Sequence, residues 1–295
     1  HLAKARHKIG KAAGVETLYR EGIALMRSVG DESFYKISMG LRGLADFQID
    51  MEKFAEAKAV LDEAGKISGK VGEDSSEAAL TRLLQARWHE ERNEWAEAER
   101  TYRSAHAALA KNADQGATDA EFSRVKLDWS RALIELGRLD EAATLLAQSK
   151  IALGESSGSN DIASPDFHCI TGELDMANNR FESAVANLDR GLDLFAKLDV
   201  AVPSSEVRCR RSRVNALLAL NRAHDARLEA AKAFTRQQEA SPQAKGKLAG
   251  LLALRARAEQ ADADPSAAAA SIEQARLLAA PVELLSTADR TTLEL

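Results

Sequence analysis

Small and large apolar residues recur along the chain about every 42 positions, and this pattern predicts a series of paired helices. A small residue is followed four positions later by a large apolar one and seven positions later by another small one. This spacing puts all three on one face of a helix. A period this regular indicates a stacked array of repeats rather than a globule around one central pocket. The residues that open the pattern, here called anchors, are Val15, Ala57, Ala98, Ala142, Ala184, Ala226 and Ala268, separated by 42, 41, 44, 42, 42 and 42 positions.

Other recurring positions divide each repeat into a first and a second helix. Twelve residues before the anchor lies a small residue, as at Ala45 and Ala86, and five residues before most anchors lies Gly or Asn, as at Asn93 and Gly137. Gly and Asn tolerate the left-handed conformation that ends many helices. We therefore expect a tight turn at this point, which reverses the chain into the second helix. Runs of alternating β-branched residues, which are typical of strands, are absent from the sequence, so the predicted fold is all-α.

The period predicts a single repeat array over residues 1–295, with about six complete hairpin units. His1 falls inside a repeat, so we expect the chain to be a segment of a longer protein. The expected units are 38–78, 79–122, 123–164, 165–206, 207–248 and 249–290, after a partial unit 1–37.

Serine-proline pairs mark two expected helix starts. Ser164 precedes Pro165, and Ser241 precedes Pro242, each near the start of a predicted first helix. A serine side chain accepts hydrogen bonds from the first free amides of a helix, and proline suits the first helical position. We therefore predict that Ser164 and Ser241 are N-caps.

Composition excludes several classes of function. The 45 acidic and 40 basic residues give a formal net charge of −5, which argues against a general nucleic-acid binder. No apolar run is long enough to span a bilayer, and no pair of cysteine or histidine residues has the spacing of a zinc site. Nucleotide-binding loops, nucleophile elbows and metalloprotease motifs are absent from the sequence. We predict a protein that is not an enzyme, needs no cofactor or metal, and does not bind nucleic acid directly or insert this segment into a membrane.

Cys169 and Cys209 lie in neighbouring repeats at similar distances from their anchors. Equivalent helices packed about 10 Å apart would hold their Cα atoms beyond the ~7 Å limit for a disulfide. We therefore expect two free thiols. The compartment stays open, with the cytoplasm favoured and a periplasmic or other extracytoplasmic location as the alternative if a membrane span lies upstream.

Two segments resemble the turn and second helix of the tetratricopeptide repeat family: Asn93-Glu94-Trp95-Ala96-Glu97-Ala98 and Gly137-Arg138-Leu139-Asp140-Glu141-Ala142. The period of 42 exceeds the family's usual value of about 34 and resembles the kinesin-light-chain type, with longer helices. Similar arrays occur in bacterial signalling proteins, including Ser/Thr kinases and winged-helix regulators. The resemblance implies a right-handed superhelical solenoid of antiparallel helical hairpins that binds a protein or peptide in a groove lined by its first helices.

The resemblance also implies that residues 11, 15 and 18 positions before each anchor face this groove. Arginine recurs there, and a guanidinium group binds a carboxylate through two parallel hydrogen bonds. We therefore predict a groove for an acidic segment of a partner, although a solvated face of mixed charge is the alternative. The two leucines at these positions either form an apolar shelf or pack under the neighbouring hairpin. The predicted partner-binding residues are Arg42, Leu83, Arg87, Arg124, Leu127, Arg131, Arg208, Arg211 and Arg257.

We thus predict a non-catalytic protein- or peptide-binding scaffold or sensory module of a larger bacterial signalling protein, a Ser/Thr kinase or a transcription regulator. Two alternatives remain open. The chain could be a receptor for a peptide or small ligand that switches an attached domain, or a module that holds its parent protein as a homodimer.

Overall fold

In the computed structural model, the described residues are 2–8, 11–29, 34–111, 119–157, 164–198 and 203–294, and every regular element within them is a helix. The predicted all-α fold is therefore confirmed. The chain divides into two compact units, residues 1–7 with 11–162 and residues 8–10 with 163–295. Unit 1 contains α1 (Leu2–Lys8), α2 (Val15–Ser28), α3 (Phe34–Asp50), α4 (Phe54–Val71), α5 (Ser76–Glu90), α6 (Trp95–Lys111), α7 (Asp119–Glu135) and α8 (Leu139–Ser157). Unit 2 contains α9 (Pro165–Ala177), α10 (Phe181–Phe195), α11 (Pro203–Ala219), α12 (Ala223–Ala240), α13 (Lys245–Ala261), α14 (Pro265–Leu277), a 3-10 turn (Val282–Leu284) and α15 (Thr287–Leu293).

Consecutive helices pair as hairpins, and each anchor from Ala57 to Ala268 lies in the second helix of its hairpin. The pairs are α3 with α4, α5 with α6 and α7 with α8 in unit 1, and α9 with α10, α11 with α12 and α13 with α14 in unit 2. The expected unit starts at 79, 207 and 249 lie inside α5, α11 and α13, a few residues after each helix begins. The arrangement of all hairpins as one array over the chain stays a prediction.

The small residues of the repeat allow the two helices of a hairpin to pack closely. Ala98 and Ala184 are completely buried, as are the large residues that follow them, Tyr102 and Leu188. Gly172, twelve residues before Ala184, shows why this position is small. A Cβ added there would lie 3.1 Å from the carbonyl oxygen of Ala184 and closer still to the Leu188 side chain. The backbone separation therefore leaves no room for a larger residue.

The predicted turns have the left-handed residue that Gly and Asn favour. Asn93, Gly137, Asn179 and Asn221 have φ values of 60°, 72°, 58° and 58°. The next residue in each turn donates its backbone N–H to the carbonyl five residues earlier, as from Glu94 to His89 at 3.0 Å. Glu52 and Ala263 occupy the same position in their hairpins, with φ of 57° and 58°. The hairpin therefore imposes this conformation even where the side chain disfavours it.

One of the two predicted serine caps is confirmed. The Ser164 hydroxyl accepts a hydrogen bond from the backbone N–H of Phe167 at 3.4 Å, and Pro165 begins α9. Ser241 is not an N-cap, so that prediction is wrong. It ends α12, donating its backbone N–H to the Gln237 carbonyl at 2.8 Å, and α13 begins only at Lys245. Pro242 lies in the turn between these two helices.

The prediction of two free thiols is also wrong. Cys169 of α9 and Cys209 of α11 form a disulfide, with their Cα atoms 5.4 Å apart. The expected separation used the mean distance between packed helices, but α9 and α11 approach each other more closely than that at the two cysteines. Gly191 of α10 leaves the space that the Cys169 sulfur occupies. A local close approach therefore brings the two cysteines within bonding range.

Candidate functional site

The first helices α3, α5 and α7 of unit 1 lie side by side and are joined by ion pairs. Arg87 of α5 donates to Asp46 and, at 2.5 Å, to Asp50, both on α3. Arg131 of α7 lies 3.3 Å from Glu90 of α5. Each arginine is eleven residues before its anchor, next to the small residue that packs against the second helix. It therefore faces the preceding first helix, whose last two turns supply the carboxylates.

A further ion pair joins α3 to the start of α5. Arg42 donates to Glu77 Oε2 at 2.5 Å and to Ser38 Oγ at 2.8 Å. Arg42, Glu77 and Ser38 are all buried. Ser75 caps the same helix end by accepting from the Ala78 N–H. Arg42 is thus engaged within the fold, at the position where the sequence predicts contact with a partner.

The neighbouring carboxylates favour the charged form of Arg87. Burial alone would lower the pKa of Arg87, but the charges of Asp50, Asp46 and Glu91 raise it well above its usual value. The ion pairs therefore neutralise Arg87 within the protein. Without these carboxylates Arg87 would be an uncompensated charge in a poorly hydrated place, which is costly.

Hydrogen bonds between the two helices of a hairpin form a second recurring set, which sequence reasoning missed. In three hairpins a buried carboxylate at the end of the first helix accepts from a side chain twelve residues later in the second helix. The signal was present in the sequence as an acidic residue eight or nine before the anchor and a polar residue three or four after it. The pairs are Glu90 with Tyr102 (2.7 Å), Asp175 with Asn187 (2.9 Å) and Glu259 with Ser271 (2.7 Å).

Two predicted arginines of unit 2 meet a carboxylate of their own unit. Arg211 and Arg257 lie 3.6 Å and 3.3 Å from Asp289, which is buried at the start of α15. Ser286 also donates to Asp289, at 2.7 Å. Burial lowers the pKa of Arg257, and the attraction of Asp289 offsets this only in part. Arg208, the remaining predicted arginine of α11, is partly exposed.

The two predicted leucines lie in the interior. Leu83 and Leu127 are only 5 % and 6 % exposed. Leu83 belongs to the core cluster that also contains Tyr102 and Val125. The burial of both leucines leaves little of either side chain to form an open apolar shelf.

Arg124 differs from the other predicted arginines of unit 1 because its side chain is 64 % exposed. Its nearest carboxylate oxygen, on Asp128, is 3.9 Å from Nε, which is longer than a hydrogen bond. The guanidinium group therefore keeps donors directed to solvent.

On the same three helices, a row of exposed or partly exposed side chains lies two turns closer to the helix N-termini than the ion pairs. Met39, Leu80 and Arg124 each lie seven residues, or two helical turns, before Asp46, Arg87 and Arg131. Met39 is 37 % exposed and Leu80 is partly exposed. Tyr35, one turn before Met39, is 59 % exposed. We call Tyr35, Met39, Leu80 and Arg124 the first-helix row.

Sequence reasoning found only Arg124 of this row. The same offset that selected Arg124, eighteen residues before the anchor, also selects Met39 and Leu80 when counted from Ala57 and Ala98. The recurrence of arginine directed the prediction mainly to offsets 11 and 15, where Arg42, Arg87 and Arg131 form ion pairs within the fold.

The described residues form neither a three-ligand metal group nor a membrane-spanning helix. Among them, no group of three His, Cys, Asp or Glu side chains could hold a metal ion, and no helix is long and apolar enough to cross a bilayer. A shallow depression on α11 and α12 is lined by ion-paired groups. There Glu206 accepts from Arg210 at 2.8 Å and from Arg236 at 2.9 Å, so these charges neutralise one another.

Comparison with solved structures establishes the type of fold. A chain of the Cut9–Hcn1 hetero-tetramer of the APC/C matches with a TM-score of 0.60 and 11 % identity, over 98 % of this chain and 46 % of that one. This chain thus spans about half the length of that relative. A tetratricopeptide repeat protein from Parabacteroides merdae matches with a TM-score of 0.55 and 16 % identity, over 97 % of this chain and 92 % of the other. BtubC from P. vanneervenii matches with a TM-score of 0.51 and 16 % identity, over 80 % and 91 %.

Neither a family model nor a curated protein sequence matches the chain. At this low identity the structural likenesses define the fold alone, which is the helical repeat solenoid of tetratricopeptide repeat proteins.

Proposed function

We propose that this chain is a non-catalytic scaffold that binds a protein or peptide through the first-helix row of unit 1. One observation carries the proposal. The carboxyl-terminal halves of α3 and α5 use their charges on each other and on α7, whereas Met39 and Tyr35 stay exposed and Arg124 keeps donors directed to solvent. The row is thus apolar on α3 and α5 and ends in a cation on α7.

These side chains define the chemistry of the ligand. Methionine adapts its shape to different apolar partners, and tyrosine offers a large contact area with a polar tip. Arg124 can accept a carboxylate through two parallel hydrogen bonds. A peptide segment with one or two apolar side chains followed by an acidic residue fits this order of groups.

The fold supports the same class of function by analogy. A chain of this fold is part of the Cut9–Hcn1 hetero-tetramer, which shows that the fold can serve in a protein assembly. The analogy does not identify a partner. The 42-residue period supports a further proposal, that the chain is a kinesin-light-chain-like array. We propose that this array belongs to a larger bacterial signalling protein, a Ser/Thr kinase or a transcription regulator.

The test uses a fluorescent peptide in which two leucines are followed by two aspartates, and measures its anisotropy on titration with the full chain. Met39→Glu and Arg124→Glu should each weaken binding about tenfold or more, a typical effect of losing a central contact. Two variants on second helices of unit 1 are matched controls. Leu25 is 67 % exposed on α2, and the Arg100 side chain is 68 % exposed on α6, so Leu25→Glu and Arg100→Glu introduce glutamate at an apolar position and at an arginine position outside the row.

Equal affinity of the row variants and the controls, with unchanged circular dichroism, would contradict the proposed site. A version of the peptide with asparagine in place of aspartate separates the two contributions, since it should lose the contact with Arg124 only. Light scattering over a range of concentrations tests the dimerisation alternative. Self-association that Met39→Glu abolishes would assign the row to a second copy of the chain rather than to a peptide.

A further inference from the structure

The Cys169–Cys209 disulfide joins two consecutive first helices of unit 2, α9 and α11, across 40 residues of sequence. Cys169 lies fifteen residues before its anchor, the offset that Arg42 has in unit 1. In unit 1, ion pairs link consecutive first helices at these positions, as from Arg42 to Glu77. Between α9 and α11 the link is covalent, and a hydrogen bond from Ser212 to Glu173 at 2.9 Å accompanies it.

The disulfide is buried and closely packed against the second helix α10. Cys169 and Cys209 are buried. A Cβ on Gly191 of α10 would collide with the Cys169 sulfur and lie 3.1 Å from the carbonyl oxygen of Pro165. On the other side, Cys209 Sγ lies 3.8 Å from the carbonyl oxygen of Leu188. The second helix α10 therefore encloses both sulfur atoms against α9 and α11.

We propose that this protein matures in an oxidising compartment, where the Cys169–Cys209 disulfide fixes the packing of α9 against α11. Buried disulfides of this kind form and persist where the thiol pool is oxidising, and are rare in a reducing cytosol. The bond forms by thiol–disulfide exchange with a disulfide-bearing oxidant, either an oxidoreductase or oxidised glutathione. The two cysteine thiols lose two electrons and two protons, and the disulfide of the oxidant becomes two thiols.

Burial makes the disulfide a permanent structural link rather than a rapid switch. An attacking thiolate must reach a sulfur atom in line with the bond, and here both sulfur atoms are covered. Reduction therefore requires local opening of unit 2. Once the link is broken, α9 and α11 keep their apolar contacts and the Ser212–Glu173 hydrogen bond, but lose the restraint that closes 40 residues of chain.

The first experiment compares the purified chain in three forms: oxidised, reduced after brief unfolding and refolding with dithiothreitol, and the Cys169→Ala/Cys209→Ala variant. The oxidised form should melt about 10 °C above the reduced form, from the loop-closure effect and the size of the unit. The double variant should melt near the reduced form and show no response to dithiothreitol. Hydrogen exchange should be faster in the reduced form in α9 and α11, while α3 to α7 stay unchanged.

The second experiment traps thiols in the cells that make the protein, using N-ethylmaleimide during lysis and mass spectrometry of the two cysteine peptides. The proposal expects no maleimide on Cys169 or Cys209 before reduction. Maleimide on both cysteines in freshly lysed cells would overturn the oxidising compartment. Equal melting and exchange of the oxidised and reduced forms would overturn the role of the bond in the packing of α9 against α11. Neither result bears on the first-helix row of unit 1.

Discussion

Replacement of Glu90 by leucine should destabilise unit 1, because this carboxylate serves two buried partners at once. Glu90 accepts a hydrogen bond from Tyr102 Oη at 2.7 Å and pairs with Arg131 at 3.3 Å. Glu90, Tyr102 and Arg131 are all buried. Burial and the charge of Glu90 raise the pKa of Tyr102 well above its usual value, so its hydroxyl is a permanent donor.

The expected loss of unfolding free energy follows from the two groups that lose Glu90 as a partner, Tyr102 and Arg131. An unsatisfied buried hydroxyl costs about 1–3 kcal/mol. Loss of one partner from a buried ion pair costs about 3–5 kcal/mol, reduced here because Asp128 still accepts from Arg131 at 2.7 Å. Burial of the new leucine returns about 1.5–2 kcal/mol. The net loss is about 3 kcal/mol, which corresponds to a melting temperature about 6–12 °C lower for a unit of this size.

The assay combines thermal unfolding by circular dichroism with hydrogen exchange of α5, α6 and α7. Repeat arrays unfold region by region, so exchange shows whether the loss is local. In the Glu90→Leu background, Tyr102→Phe removes the hydroxyl that has lost its acceptor. The double variant should recover about 1 kcal/mol of the lost stability. Glu141→Leu is the control, since Glu141 pairs with Arg138 on the exposed surface and should change little. Additive effects of Glu90→Leu and Tyr102→Phe would refute the reasoning.

Three further predictions concern single positions. Ala263→Gly should stabilise unit 2 by about 1 kcal/mol, because Ala263 is held at φ 58°. The control Ala270→Gly, on the exposed face of α14, should destabilise unit 2 by a similar amount. Chemical denaturation that shows both changes in stability with the same sign would contradict this. A hydrogen bond from Lys53 is the main cause that lowers the pKa of Glu16 to about 2, so this group adds stability above pH 4.5 that is lost as the pH falls through 2. Glu16→Gln should flatten the fall in melting temperature between pH 5 and pH 2.5, and an unchanged slope would count against the assignment. Burial, and secondarily the charge of Lys126, lowers the pKa of His106, so its neutral form favours the fold and stability should decrease as the pH drops below 6.5. Lys126→Gln should raise the pKa of His106, as followed by NMR of the imidazole; no change would leave burial as the whole cause.

The recurring ion pairs explain why arginine recurs on the first helices. Arg87 and Arg131 occupy equivalent positions and each reaches a carboxylate of the preceding first helix. A charged pair of this kind is a poor source of net stability but disfavours wrong registers, since a shifted helix would bury an unpaired charge. We therefore interpret these arginines as determinants of how one hairpin stacks on the next.

Much of the candidate site was accessible from the sequence, but of its exposed residues only Arg124 was. The offsets that place residues on the first helices are correct, because they follow from helical periodicity within a hairpin. Exposure depends instead on the distance between neighbouring hairpins. At Leu83 and Leu127 that distance is short enough to bury the side chain, whereas at Met39 the apolar surface stays open.

By itself, the sequence determines the helices, the turns and the pairing within hairpins. These are local: Ala98 packs against a helix only a few residues away, and Asn93 ends that helix through its own backbone preference. Only the tertiary structure decides that Cys169 bonds to Cys209 and that Arg42 pairs with Glu77. The physical reason is that a repeat period specifies which residues are equivalent, while contacts between repeats depend on how closely two helices approach. That approach is set by the small side chains and glycines at each crossing, whose combined effect appears only when the helices are packed.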